Sequence, residues 1–204
     1  MPYGYLGQTT PNQLAKNSGV LSMSDVDSLT KQGKLGGSYE LIETIAPDGV
    51  QNVTTSVLPT NYDVIKVEYD FYSSSAANVL YLQFYESGVL QTGAVYKVAQ
   101  RQRTPGAVTY DTRSTGETKI YLGNFGSGGQ GGGYFYLFNA SNASKITNVT
   151  YQHSDNAGLA VWGGGALAQA SVVDKLYFRN SSLAYNFLSG SLIKIYGLKK
   201  IWVI

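Results

Sequence analysis

Tyr62-Asp63-Val64-Ile65-Lys66-Val67-Glu68-Tyr69-Asp70-Phe71-Tyr72 alternates for its whole length. Ile65, Val67, Tyr69 and Phe71 fall on one side, and Lys66, Glu68, Asp70 and Tyr72 on the other. Successive side chains of a strand point to opposite faces, so this pattern predicts a half-buried antiparallel strand with one side on a core and one side in water. The next apolar run, Val79 to Glu86, sets Leu80, Leu82 and Phe84 against Val79, Tyr81, Gln83 and Tyr85. Its other face is also partly apolar, which predicts a central strand or one facing a partner. These two strands nominate Ile65, Val67, Tyr69, Phe71, Leu80, Leu82 and Phe84 as core.

Working outward, the same period predicts strands at 39–45, 50–58, 94–101, 107–111, 118–122, 134–139, 146–153, 174–179 and 191–196, separated by turn signals such as Pro47-Asp48-Gly49. That many short strands predict an all-β, antiparallel sandwich over residues 39–204. The composition agrees: 24 Gly and 17 Tyr make up a fifth of 204 residues, a mixture of aromatic strands and glycine turns. The segment 123–133 holds seven glycines in eleven positions and reads as a flexible loop. Residues 158–170 stay unassigned, because Gly163, Gly164 and Gly165 penalise regular structure.

Residues 1–38 differ. They are rich in Gly, Ser, Thr and Asn and have little periodic apolar character, which predicts an extended N-terminal arm. Within it Ser24 caps a predicted short helix over 25–32, stopped by Gly33. About two turns cannot stand alone, so the arm is expected to dock through Tyr3, Tyr5, Leu6, Val20, Leu21, Val26 and Leu29.

The chemistry of the chain is mostly negative. It has no Cys and one His, His153, which leaves no thiolate nucleophile, disulfide framework or Cys/His zinc cage. A net charge of +2 with 14% charged residues argues against a dedicated nucleic-acid binder. The glycine segment lacks the Gly-Lys-Ser/Thr ending of a phosphate loop. His153, at a strand end, reads as a structural residue whose loss is expected to be tolerated. The carboxylates Glu68, Asp70 and Glu86 on neighbouring predicted strands would be needed for glycoside hydrolysis, but read better as a solvated face. Asp155, Asn156 and Gly158 read as a turn rather than a calcium loop. The basic cluster Lys97, Arg101 and Arg103 reads as a local subunit contact. The expectation is a chain that is not an enzyme, with no catalytic, metal or cofactor site. No leader and no run of about 18 apolar residues is seen, so the expected product is made in a cytoplasm and does not enter a membrane. Tyrosine combines rigid apolar area with a polar tip, and Tyr81, Tyr85, Tyr96, Tyr134 and Tyr136 are the candidates for an interface or glycan-binding face.

Two segments resemble virion proteins of bacteriophages, particularly marine and cyanobacterial phages. The N-terminal segment joins Met1-Pro2-Tyr3-Gly4-Tyr5-Leu6-Gly7-Gln8 to Lys16-Asn17-Ser18-Gly19-Val20-Leu21-Ser22 and Lys31-Gln32-Gly33-Lys34-Leu35-Gly36-Gly37-Ser38. The C-terminal segment is Asp174-Lys175-Leu176-Tyr177-Phe178 followed by Asn186-Phe187-Leu188-Ser189-Gly190-Ser191-Leu192-Ile193-Lys194-Ile195-Tyr196-Gly197. This C-terminal segment resembles the closing hairpin of a phage jelly roll, while 198–204 extend past the usual end. The resemblance implies a jelly-roll-like sandwich and a structural virion protein, above all a homo-oligomeric capsid decoration protein whose arm lies on the major capsid protein. A tail or head fibre module for host surface polysaccharide is the alternative, and a jelly-roll carbohydrate-active hydrolase the third.

Overall fold

The computed structural model describes residues 39–199 apart from 76–77, 107–108, 127–128 and 183. The predicted arm with its helix, and the tail beyond residue 199, lie outside the described residues. Among those described there are thirteen strands and no helix.

In chain order the strands are β1 (Tyr39–Ile45), β2 (Asn52–Thr54), β3 (Tyr62–Tyr72), β4 (Val79–Glu86), β5 (Val89–Leu90), β6 (Tyr96–Arg103), β7 (Thr109–Glu117), β8 (Ile120–Asn124), β9 (Gln130–Phe138), β10 (Ile146–Asp155), β11 (Ala160–Ala170), β12 (Val173–Asn180) and β13 (Leu192–Lys199). They build an eight-stranded sheet in the order β1-β13-β3-β9-β10-β11-β6-β7 and a smaller one in the order β2-β12-β4-β5, with β8 also paired to β4. Every pairing is antiparallel. The two sheets form a sandwich-like arrangement.

The deciding strand, β3, is buried at Ile65, Val67, Tyr69 and Phe71 and takes a central place in the large sheet. All seven nominated core residues are buried. The sheets meet through aromatic rings: Phe178 of β12 lies 5.8 Å from Phe71 and 6.4 Å from Tyr69 on β3, and 6.1 Å from Phe135 on β9. Phe187, after β12, stacks on Phe71 at 4.5 Å. Such offset and tilted pairs add to the area they bury.

Eight strands pair in a nested order. β1 pairs with β13, β2 with β12, β3 with β9 and β4 with β8, while β13–β3 and β12–β4 contacts join the pairs side by side. The other five come from two insertions. Between β4 and β8 the chain makes β5, β6 and β7; between β9 and β12 it makes β10 and β11. Four of these strands continue the large sheet beyond β9.

Two expectations are corrected and one open segment is assigned. β12 and β13 are not a hairpin: they lie in different sheets, because β12 pairs with β2 and β4, and β13 with β1 and β3. The glycine segment is not one loop. Gly123 falls within β8, and Gln130–Gly133 begin β9. Finally, 160–170 form β11, which runs between β10 and β6. Two of its glycines, Gly163 and Gly165, stand where a side chain has no room. A Cβ on Gly163 would lie 2.7 Å from the Ala99 carbonyl oxygen, and one on Gly165 3.0 Å from Ile120 of β8.

Candidate functional site

His153 is 1% exposed and sits where β8, β9 and β10 approach. Its Nε2–H donates to the Asn124 carbonyl at 2.7 Å. A carbonyl can only accept, so the proton is on Nε2, and Nδ1 is left to accept from the Tyr69 hydroxyl at 3.3 Å. Burial lowers the imidazole pKa, the bond to Asn124 opposing it. Glycines make the slot: a Cβ on Gly123 would lie 2.0 Å from the ring and one on Gly131 2.8 Å. Both nitrogens are engaged, as a structural role requires.

The candidate carboxylates do not converge. Glu68 and Asp70 are on β3 of the large sheet, whereas Glu86 ends β4 in the small one. Glu68 is held down by its hydrogen bond to Lys66, 2.6 Å away. Glu86 is pushed up by burial and accepts from Gln169. Asp155 folds on its own turn, its Oδ1 accepting from the N–H of Ala157 and of Leu159 at 2.9 Å each. A cleft of 600 Å³ at one end of the sandwich is lined by Asn78, Asn124 and Asp155 among others. Its polar groups are used internally: Asn78 bonds Asn180, Ser73 and Ser181, and the Asn124 side chain accepts from Tyr121.

The five candidate tyrosines go to three places. Tyr96 is fully buried, its hydroxyl accepting from the Phe84 N–H at 2.9 Å and donating to the Gln91 carbonyl at 3.1 Å. Burial pushes its pKa up to about 12; it belongs to the core and to neither surface. Tyr81 and Tyr85 lie on the outer side of the small sheet. Tyr81 meets Tyr121 edge-on at 6.3 Å and Tyr85 meets Tyr177 at 6.2 Å. Lys119 and Arg179 flank the Tyr81 ring at 4.5 and 5.8 Å, and Lys175 lies 5.8 Å from that of Tyr85. These rings already have cationic neighbours from the same chain.

Tyr134 and Tyr136 are on the outer side of the large sheet, and here the register builds a continuous surface. One cross-strand row reads Lys194, Glu68, Tyr134, Gln152, Trp162, Arg101, Asp111 from β13 to β7. The next reads Tyr196, Lys66, Tyr136, Thr150, Gly164, Ala99, Arg113, and the third Leu198, Val64, Phe138, Asn148, Ala166, Lys97, Thr115. Tyr134 is 39% and Trp162 41% exposed. They flank Gln152 two strands apart, about 10 Å at the usual strand spacing. The Tyr134 hydroxyl donates to Oε1 of the exposed Gln152 at 2.8 Å, a bond that engages the amide oxygen and not its N–H groups.

Small residues hollow the middle of this face. Asn148, Gly164, Ala166 and Ala99 floor a basin of 490 Å³ that Lys97 and Arg113 also line. On the far side of Tyr134 a separate hollow, of 350 Å³, contains Glu68, Asp70 and Lys194. Beyond it the aromatic edge is knit together. Tyr39 meets Tyr196 edge-on at 6.4 Å, Lys66 Nζ lies 5.3 Å from the Tyr39 ring, and a hydrogen bond with Tyr136 raises the Tyr39 pKa.

Trp162, Gln152 and Gly164 were not nominated from sequence. The signal was present, since Ala160, Trp162, Gly164 and Ala166 alternate with Val161, Gly163, Gly165 and Leu167; the glycine run concealed it. Arg101 is spoken for, its guanidinium donating to both Asp111 oxygens at 2.7 and 3.0 Å. The arm candidates Tyr3, Tyr5, Leu6, Val20, Leu21, Val26 and Leu29 lie outside the described residues.

The geometry defines a class: a two-sheet antiparallel β protein with an open aromatic and polar face. No protein-family model matches the chain, and no curated protein matches it. Among solved structures it is similar to the CBM2 module of the evolved Dit of Lactobacillus casei BL23 phage J-1, at 8% identity over 82% of each chain and a TM-score of 0.29.

Proposed function

We propose that the chain is a structural protein of a bacteriophage virion that works by binding rather than catalysis, and that the outer face of its large sheet attaches to surface polysaccharide of the host. The fold part of the reading rests on the nested pairing of eight strands, first with last, which is the order of a jelly roll carrying two insertions. The site part rests on one observation: Tyr134 and Trp162, exposed on one row, flank an exposed Gln152 whose amide oxygen is held by the Tyr134 hydroxyl. Rigid rings offer flat apolar area to a pyranose, and fixed amides beside them select its hydroxyls. The two insertions, side by side in the sheet as β10–β11 and then β6–β7, supply Trp162, Gln152 and the floor of the basin.

The test is co-sedimentation of purified protein with host envelopes, with and without their polysaccharide stripped. Tyr134→Ala and Trp162→Ala should each weaken retention at least about tenfold, as loss of a hot-spot aromatic does, with the melting temperature little changed. Retention that survives both substitutions removes the reading. Decoration of the capsid through 1–38 remains the proposal carried by the sequence resemblance, and its test belongs to the whole chain.

A further inference from the structure

We infer that the basin beside Trp162 takes an acidic polysaccharide whose charge is carried by carboxylates, with Lys97 and Arg113 as its cationic side. The inference rests on the glycan-binding reading of this face and names the class of glycan.

Three observations carry it. First, charge is divided across the sheet. The basin contains Lys97 and Arg113 and no carboxylate among its lining residues, and neither cation makes a salt bridge among the described residues. Asp111, on the neighbouring row, is hydrogen-bonded by Arg101 at 2.7 Å and feels the Arg113 charge only through space. The opposite hollow, beyond Tyr134, is mixed in charge: it contains Glu68 and Asp70 together with Lys194, and Glu68 is paired with Lys66 at 2.6 Å. An anionic chain is therefore favoured on the basin side of Tyr134, where the cations outnumber the acids.

Next, the register sets the basin within a longer row that runs past it to Tyr136. Tyr136, Thr150, Gly164, Ala99 and Arg113 form one row across five strands, roughly 20 Å at the usual spacing. The ring of Tyr136 is at one end and the guanidinium of Arg113 at the other, with Trp162 and Lys97 in the rows on either side. That is the outline of an extended polymer rather than of a single small molecule.

Third, the floor is flat. Gly164, Ala99 and Ala166 offer almost no side chain, which suits a ribbon of pyranose rings lying low enough for a ring carboxylate to reach the fork of Arg113. Guanidinium recognises a planar carboxylate through two parallel hydrogen bonds, while Lys97 supplies a point charge. A phosphodiester-linked polymer shares the charge but not the flat ribbon, and is the competing arm of the test.

The experiment is affinity electrophoresis of the full chain through gels containing polygalacturonate, its methyl ester or inorganic polyphosphate, over a range of salt. Polygalacturonate should retard the protein most and lose its hold as salt shortens the screening length. The methyl ester should bind at least about tenfold more weakly. Lys97→Gln with Arg113→Gln should remove the preference for the acid while leaving the melting temperature in place, since both side chains point away from the core. Trp162→Ala should weaken acid and ester alike. A methyl ester held as strongly as the acid overturns the inference but leaves the glycan-binding reading standing. Polyphosphate held as strongly as polygalacturonate overturns the choice of carboxylate. Failure of polygalacturonate to retard the protein at low salt also overturns it, and if envelopes too are not retained the wider reading falls with it.

Discussion

His153 shows how much a single residue takes from its surroundings. From sequence it is a lone histidine at a strand end, expected to be dispensable. In the fold it is enclosed by Gly123 and Gly131 and bonded on both ring nitrogens. Replacing it by Ala strands the Tyr69 hydroxyl and the Asn124 carbonyl and opens a void, at an expected cost of about 2–4 kcal/mol. Gly123→Ala should be severely destabilising in the parent chain, because its Cβ would fall inside the imidazole, but mild in a His153→Ala background. Chemical denaturation of the four proteins in that cycle checks the coupling; additive costs would show that the slot is not shared. The sign of the pH effect follows from burial. The folded state holds the imidazole pKa down, so the unfolded chain takes up the proton first as pH drops through about 6.5. The contribution of His153 is complete above that value and is lost as pH falls through the folded pKa. Between pH 7 and 5 the parent should lose melting temperature more steeply than His153→Ala.

At the scale of elements, period two did its work wherever side chains were large enough to register. The bounds of β1, β3 and β4 agree with the sequence reading, and Val67→Asp should prevent cooperative folding, since a carboxylate at that fully buried position has nothing to pair with. β11 is the contrary case. Its glycines lower intrinsic strand propensity, and what makes it a strand is two neighbours, β10 and β6, hydrogen-bonded along its length. Inner and outer glycines of this strand should differ. Gly163→Ala places a methyl 2.7 Å from backbone oxygen, whereas Gly164→Ala meets only the Val149 carbonyl at 3.3 Å and otherwise faces the basin. Thermal melts should show a loss of several degrees for the first and a small change for the other. Equal losses would mean that strand propensity, rather than close approach, governs the position.

For the whole molecule, the described core draws on residues from Val53 to Ile195, and residues 1–38 are the segment with a proposed docking role. Deleting 1–38 should leave a domain that melts at nearly the parental temperature yet fails to enter particles, because an extended arm gains binding only by ordering many residues against a neighbour, at about 1–2 kcal/mol of backbone entropy each. Melting and particle occupancy read the two effects separately. Full occupancy without the arm would move the docking role to a sheet face. Loss of folding would make the arm part of the core.

The chain's own order of residues determined the all-β class, the central strand Tyr62–Tyr72, the core side of β3 and β4, and the absence of thiol chemistry, because alternation and composition are local properties that each segment carries with it. Which strands are neighbours was decided only in three dimensions. Nothing within β12 or β13 says that they part into different sheets, and nothing within Gln152, Trp162 or Arg113 says that they share one face. Those relations depend on pairing between segments far apart in the chain, and on which pairings bury the most apolar surface together. The same packing put Tyr96 in the core and separated Tyr81 from Tyr134, residues that composition alone had grouped.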